Sequence, residues 1–392
     1  SVSLFDQVAP KVLNVNCLNN DGIYIVGDTL LISVNFSEEI EFTGNLYLEL
    51  DVGSEDIGIC DYISGYGTDS FLFKYIVAKG HQSVNLDYMD INSLVSINGS
   101  IADLSGNSAD LQLPSRGTLN SLSGNKNIVI DGIQPKINFV TSSMINGHYG
   151  IGDSLIIIIR FDDLVTISGY PSIILETGEQ DRSAIYFQGS GSNTLWFSYI
   201  VEPGDNTDRL DYLNENSFQL NGGSVNDNNN NVSDLILPFP SQDNSLGANN
   251  YLIIDTRSPE VISVNSLIDD GLFGVGDTIQ FSITFDEMVT VTGIPQITLE
   301  TGDDDGVAYY VEKEDSTLIF RYIVELGHNS DALDYVSSSS FSVEEGFIED
   351  LARNDVDLLL PDPGSGMSIS SESTFIIDTR SPEVISVNSL ID

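Results

Sequence analysis

Positive charge is what this sequence has least of. Lys and Arg number 14 against 59 Asp and Glu, a formal net charge of −45. Such a field excludes a phosphate-backbone ligand, hence nucleic acid, and repels an anionic membrane surface. Cysteine is scarce: two in 392 residues cannot frame a disulfide scaffold, and no CxxC or Cys/His cluster suggests zinc. Long hydrophobic runs are missing as well. Leu155 to Ile159 is the longest, against the ~20 residues a membrane helix needs, so no membrane insertion is expected in this segment. No stretch keeps a helical period long enough for a substantial helix. With 41% hydrophobic and 9% aromatic residues, the chain still has material for packed cores, so its acidity does not mean disorder. Two ordinary uses remain for so many carboxylates, solubility in salty surroundings and binding of divalent cations, and both suit a place outside the cell.

What is present is repetition. Marker prolines Pro10, Pro135, Pro259 and Pro382 lie 125, 124 and 123 residues apart. Each follows an apolar-Asp pair, and Ile253–Asp269 recurs unchanged as Ile376–Asp392, a recent duplication. The expected division is the end of a preceding repeat at 1–9, repeats at 10–131, 132–255 and 256–378, and the start of a fourth at 379–392. No signal peptide opens the chain, and Phe5 to Pro10 matches Ile254 to Pro259, so it is expected to begin in mid-array. Within each copy apolar residues alternate: Leu30, Ile32, Val34 and Phe36 on one strand, Phe71, Phe73, Tyr75 and Val77 on another, with counterparts in both other copies. Short alternating strands between Gly-Asp, Ser-Gly and Gly-Asn turns predict an all-β chain of tandem β-sandwiches with seven or more strands each.

Val26-Gly27-Asp28-Thr29, Ile151-Gly152-Asp153-Ser154 and Val275-Gly276-Asp277-Thr278, the Leu-Asp-Tyr at 86–88, 210–212 and 333–335, and the joint Ile254-Asp255-Thr256-Arg257-Ser258-Pro259 resemble the tandem immunoglobulin-like or cadherin-like repeats of giant extracellular surface or adhesin-type proteins. The resemblance covers the whole chain and implies immunoglobulin-like sandwiches in an extended array. The excursion from Leu113-Pro114 to Ile128-Val129, repeated in each copy, departs from a compact immunoglobulin domain and leaves the last strand order open.

Acidic positions kept in all copies are the candidate site. They are Asp28, Asp153 and Asp277; Glu38, Asp163 and Glu287; Asp87, Asp211 and Asp334; Asp103, Asp227 and Asp350, with Asn107, Asn231 and Asn354; and the linker residues Asp6, Asp131, Asp255 and Asp378. In such a sandwich the Gly-Asp and Leu-Asp-Tyr turns are expected at the trailing end of a repeat, and the Glu38-type residue and the Asp-x-x-x-Asn turn at the leading end. Stacked repeats then gather carboxylates at each joint. Calcium, which takes six to eight oxygens, would turn their repulsion into attraction, as in cadherin-like joints. The plainer reading is that these acids shape tight turns and cap backbone amides, Leu-Asp-Tyr as a tyrosine corner.

Other motifs read blandly. Thr301 to Glu312 partly imitates an EF-hand loop without flanking helices, and Gly189-Ser190-Gly191 is a strand turn. His81, His148 and His328 are expected to be solvated loop residues. Trp196 alternates out of the core stripe and reads as an outer-face packing residue. Cys17 and Cys60 align with Ser142 and Ala184, and with Ser266 and Ala308, which predicts neighbouring positions and a disulfide within repeat one. Asn35, Asn98 and Asn231 begin glycosylation sequons, expected on outer faces if used.

No site is unique to one copy, so catalysis is not expected. The function expected is a spacer, stalk or filament building block, partnered by its neighbouring repeats and by other copies laterally or a surface glycan or protein. The alternative is a module that recognises a glycan or partner protein through the loops of one repeat.

Overall fold

The computed structural model describes residues 6–53 and 57–387. In repeat one the strands are β1 (Val12–Cys17), β2 (Gly22–Ile25), β3 (Thr29–Phe42), β4 (Asn45–Asp51), β5 (Gly58–Ser64), β6 (Thr68–Ile76), β7 (Gln82–Ser83), β8 (Asp87–Tyr88), β9 (Leu94–Ile97), β10 (Ile101–Asp103) and β11 (Ile128–Asp131), with one helical turn α1 (Leu122–Asn125). The large sheet runs β1-β3-β6-β5-β4-β8, and β10 and β9 pair with β3 and β4. Its first four strands follow the A-B-E-D order of an immunoglobulin-like sandwich. The second sheet, β2-β11-β7, settles the strand order left open: β11 lies parallel to β2 and antiparallel to β7. Repeats two and three follow the same plan, with large sheets led by Ile137–Ser142 and Val261–Ser266.

The alternation seen in the sequence sets the core. Leu30, Ile32, Val34 and Phe36 on β3 face Phe71, Phe73 and Tyr75 on β6, all buried. Three separate clusters result, spanning residues 12–130, 137–254 and 264–377. Trp196 pairs with Ile158 on the outer side of its strand, between the buried Leu195 and Phe197.

The excursion after Leu113 is fastened by repeated polar contacts rather than by a long strand. The Tyr88 hydroxyl donates to the Pro114 carbonyl, as Tyr212 does to Pro238 and Tyr335 to Pro361. Asp87 accepts from the Tyr88 amide at 3.0 Å, the Gly117 amide at 3.1 Å and the Ser123 hydroxyl at 2.5 Å. Ser121 caps α1 by accepting from the Gly124 amide. Among the described residues no helix is long and apolar enough to cross a membrane.

The expected Cys17–Cys60 disulfide is not formed: both are free, buried thiols. The reason is visible in the other copies. Cys17 stands where Ser142 and Ser266 bond the nearby carbonyls of Ile156 and Ile268, and its own Sγ lies 3.6 Å from Asn19 Oδ1. Cys60 replaces the buried Ala184 and Ala308 and packs as a small apolar side chain. Burial raises the pKa of both thiols. Alkylation in denaturant without reductant should therefore add two alkyl groups by intact mass, whereas addition of none would restore the bridge.

Candidate cation site at the joints

Each joint is a short linker strapped to the repeat behind and the repeat ahead. Behind, the Gly132 amide donates to the His81 carbonyl at 2.7 Å, and the Gly80 amide to the Gly132 carbonyl at 2.8 Å. At the next joint Thr256 takes this part, accepting at its hydroxyl from the Gly204 amide and donating its amide to Asn206 Oδ1. Ahead, the carbonyls of Pro10, Pro135 and Pro259 accept from the amides of Asp110, Asp234 and Asp357. The residue after each proline donates its amide to Ser37, Asp162 or Asp286. These capping residues sit in an irregularity of the long strand, which loses register between Asn35 and Ile40 in repeat one and between Arg160 and Val165 in repeat two, and is broken after Phe285 in repeat three. The same irregularity carries Glu38, Asp163 and Glu287 at the leading end.

The strapping brings three of the five repeated acidic positions together. Asp6, Glu38 and Asp103 form one group and Asp255, Glu287 and Asp350 another, each offering carboxylate oxygens within 4.8 Å of one another. The buried aspartate is fixed first. Asp103 accepts at Oδ1 from the Ser105 and Asn107 amides, both at 2.8 Å, and at Oδ2 from Asn107 Nδ2 at 2.6 Å. Asp227 and Asp350 are held alike by Asn231 and Asn354. Asn107 and Asn354 also donate to the carbonyls of Asp6 and Asp255, at 3.1 and 3.0 Å, which ties the linker to the turn.

The middle joint differs, and Asp131, Asp163 and Asp227 do not form such a group. Asp28, Asp153 and Asp277 close their own turns by accepting from the amides of Ile25, Gly150 and Gly274. Asp153 additionally takes Arg353 of repeat three at 2.6 Å, so trailing and leading turns do meet there. A Cβ on Gly150 would sit 2.2 Å from the Ala352 carbonyl oxygen, which shows how closely the two turns approach. Asp87, Asp211 and Asp334 do not reach these groups, because their oxygens are engaged inside each repeat by the excursion. Asp378 pairs locally with Arg380.

Electrostatics mark the strain of these groups. Burial, then Asp255, Asp350 and Asp286, push the Glu287 carboxyl up to about 7, against the pull of Arg257. Glu38 is raised for the same kinds of reason, burial first and then Asp6 and Asp103. Asp103 moves the other way: burial raises it, but the hydrogen bonds from Asn107 and neighbouring amides prevail and lower it.

Several sequence expectations fail here. His81 and His328 are buried, not solvated: their Nδ1 atoms lie 2.6 Å from the hydroxyls of Tyr75 and Tyr322, with the rings stacked. Repeat two replaces the histidine by Asp205, which accepts from the Tyr199 hydroxyl at 2.6 Å and from Arg182 at 2.7 Å. The signal was the constant spacing of Tyr75 to His81, Tyr199 to Asp205 and Tyr322 to His328, hidden because the partner changes type. His148 alone is exposed. Asn35 lies mid-sheet, half-buried with its Oδ1 enclosed, and Asn231 is buried in its turn. Asn231 therefore presents no accessible acceptor amide, whereas Asn98 is exposed at the turn before β10. The EF-hand-like segment turns at Thr301, whose hydroxyl donates to the Asp304 carbonyl, and runs on as the strand Gly306–Glu314.

No family model matches the chain, and no curated protein matches it. Among solved structures, an I-band fragment of titin aligns over 95% of this chain and 100% of its own, at 8% identity and TM-score 0.27. A protein from Corynebacterium diphtheriae, described as membrane-anchored, aligns over 96% and 94%, at 8% identity and TM-score 0.18. Similarity this low carries no argument, and the fold is read from the sheets themselves.

The raised Glu287 pKa gives a pH dependence of definite sign in the absence of divalent cations. The folded state holds this proton more tightly than the unfolded chain, so the associated stability is full below the unfolded value of about 4.5 and is lost as pH rises through about 7. Glu287→Gln should leave stability at pH 4 nearly unchanged and raise it at pH 8, measured by denaturant midpoints in chelator. Equal effects at both pH values would show that the carboxylates are not crowded.

Proposed function

We propose that the chain is a non-catalytic run of structural repeats, a spacer, stalk or filament segment of a large extracellular surface or adhesin-type protein, with calcium stiffening its joints. The observation that carries this reading is the convergence of Asp255 from the linker, Glu287 from the strand irregularity and Asp350 from the buried turn, repeated by Asp6, Glu38 and Asp103. The donors are all carboxylate oxygens, the set a hard cation prefers. Three carboxylates so placed repel one another without a counter-charge. Calcium bound there would neutralise them and tie the linker to the repeat ahead. The acids recur at equivalent positions instead of gathering in one copy, which supports a structural use. The acidic composition favours solubility in salt and a place outside the cell.

Scattering and thermal melts on the full chain test this. Calcium should lengthen the maximum dimension relative to chelator and raise the melting temperature, since a ligand at 100 times its Kd stabilises by about 2.7 kcal/mol. Glu38→Gln with Glu287→Gln should abolish both responses while leaving each sandwich folded. A wild-type chain whose dimension and melting ignore calcium would mean that packing and the prolines hold the joints alone.

A further inference from the structure

We infer that the joint between repeats one and two is closed by the chain's own Lys79 ammonium and Asn229 amide, and takes no divalent cation. This rests on the calcium reading for the other joints, and concerns which residues decide where that reading applies.

Three differences at this joint point the same way. At the position of Glu38 and Glu287 stands Asp163, one methylene shorter, and its Oδ1 accepts from the Leu164 amide at 2.7 Å. Asn229 donates Nδ2 to Asp131 Oδ2 at 2.6 Å, across the joint from turn to linker. Its counterparts are Ser105 and Ala352. Ala352 has no donor to offer, and Ser105 is too short to repeat that reach. Lys79, at the trailing end of repeat one, places Nζ 2.9 Å from Asp234 Oδ2 of repeat two. At the next joint Pro203 replaces Lys79, so Asp357 has no such partner there.

The two kinds of joint should answer to different conditions. A carboxylate group that takes calcium responds to chelator. An exposed ion pair is weak and screened by monovalent salt. Asp163 and Asn229 are therefore the residues that switch the chemistry of the joint, and the array has one articulation softer than its neighbours.

The experiment uses the full chain throughout. Calorimetric titration with calcium chloride should count two ions per chain, and Asp163→Glu with Asn229→Ser, which restores the residues of repeat one, should count three. Spin-label pairs spanning each joint should show chelator broadening the distance distribution only between repeats two and three. Lys79→Ala should broaden it only between repeats one and two. Three ions bound by the wild type, or two still bound by the double variant when circular dichroism shows it folded, would overturn the inference and leave the calcium reading standing. No bound calcium and no response to chelator at any joint would overturn the calcium reading itself, and with it this inference.

Discussion

The chain cannot leave one repeat and join the next freely, because the linker is hydrogen-bonded on both sides. The trailing turn holds Gly132 or Thr256, and the leading end holds the proline carbonyl and the amide that follows it. With so few residues between the two straps, the linker aspartate has little choice of position. It is delivered to the leading end of the next repeat, where the long strand is irregular and the Asp-x-x-x-Asn turn is buried. The placement of charge at the joints follows from that double strap.

Each repeat then divides its acids by how they are satisfied. Asp87 and its counterparts are consumed by backbone amides and a serine or an amide of the excursion, and the Gly-Asp carboxylates close their own turns. Such groups are paired and structurally complete. Glu38 and Glu287 are different, since no hydrogen bond of their own relieves the neighbouring charges and their pKa values rise. Beside the joints, the buried Tyr–His contact of repeats one and three becomes Tyr–Asp–Arg in repeat two. A polar partner for the buried tyrosine hydroxyl is kept while its chemistry changes, as expected where an unsatisfied buried group is costly.

The fold was largely legible because alternation reports burial directly: Leu30 to Phe36 and Phe71 to Val77 face inward as their period requires. The last strand was not, since β11 pairs parallel to β2 through a long connection that no local pattern encodes. For the site, repetition singled out acids that converge together with acids that do not, because Asp87 and Asp28 repeat as strictly as Asp255 while serving only their own turns. Cys17 and Cys60 misled for a related reason: small counterparts signal a tight environment, which fits a buried thiol as well as a bridge. Lys79, Asn229 and Arg353 were invisible to repetition because each occurs in one copy alone.

The central claim is that a cation sits among Asp255, Glu287 and Asp350, and a crystal structure of the chain grown with calcium tests it most directly. The account predicts anomalous density between the three carboxylates, with oxygens at about 2.3–2.6 Å, and none among Asp131, Asp163 and Asp227. Density at neither place, with the Arg257 guanidinium or ordinary water filling the space beside Glu287, would contradict it.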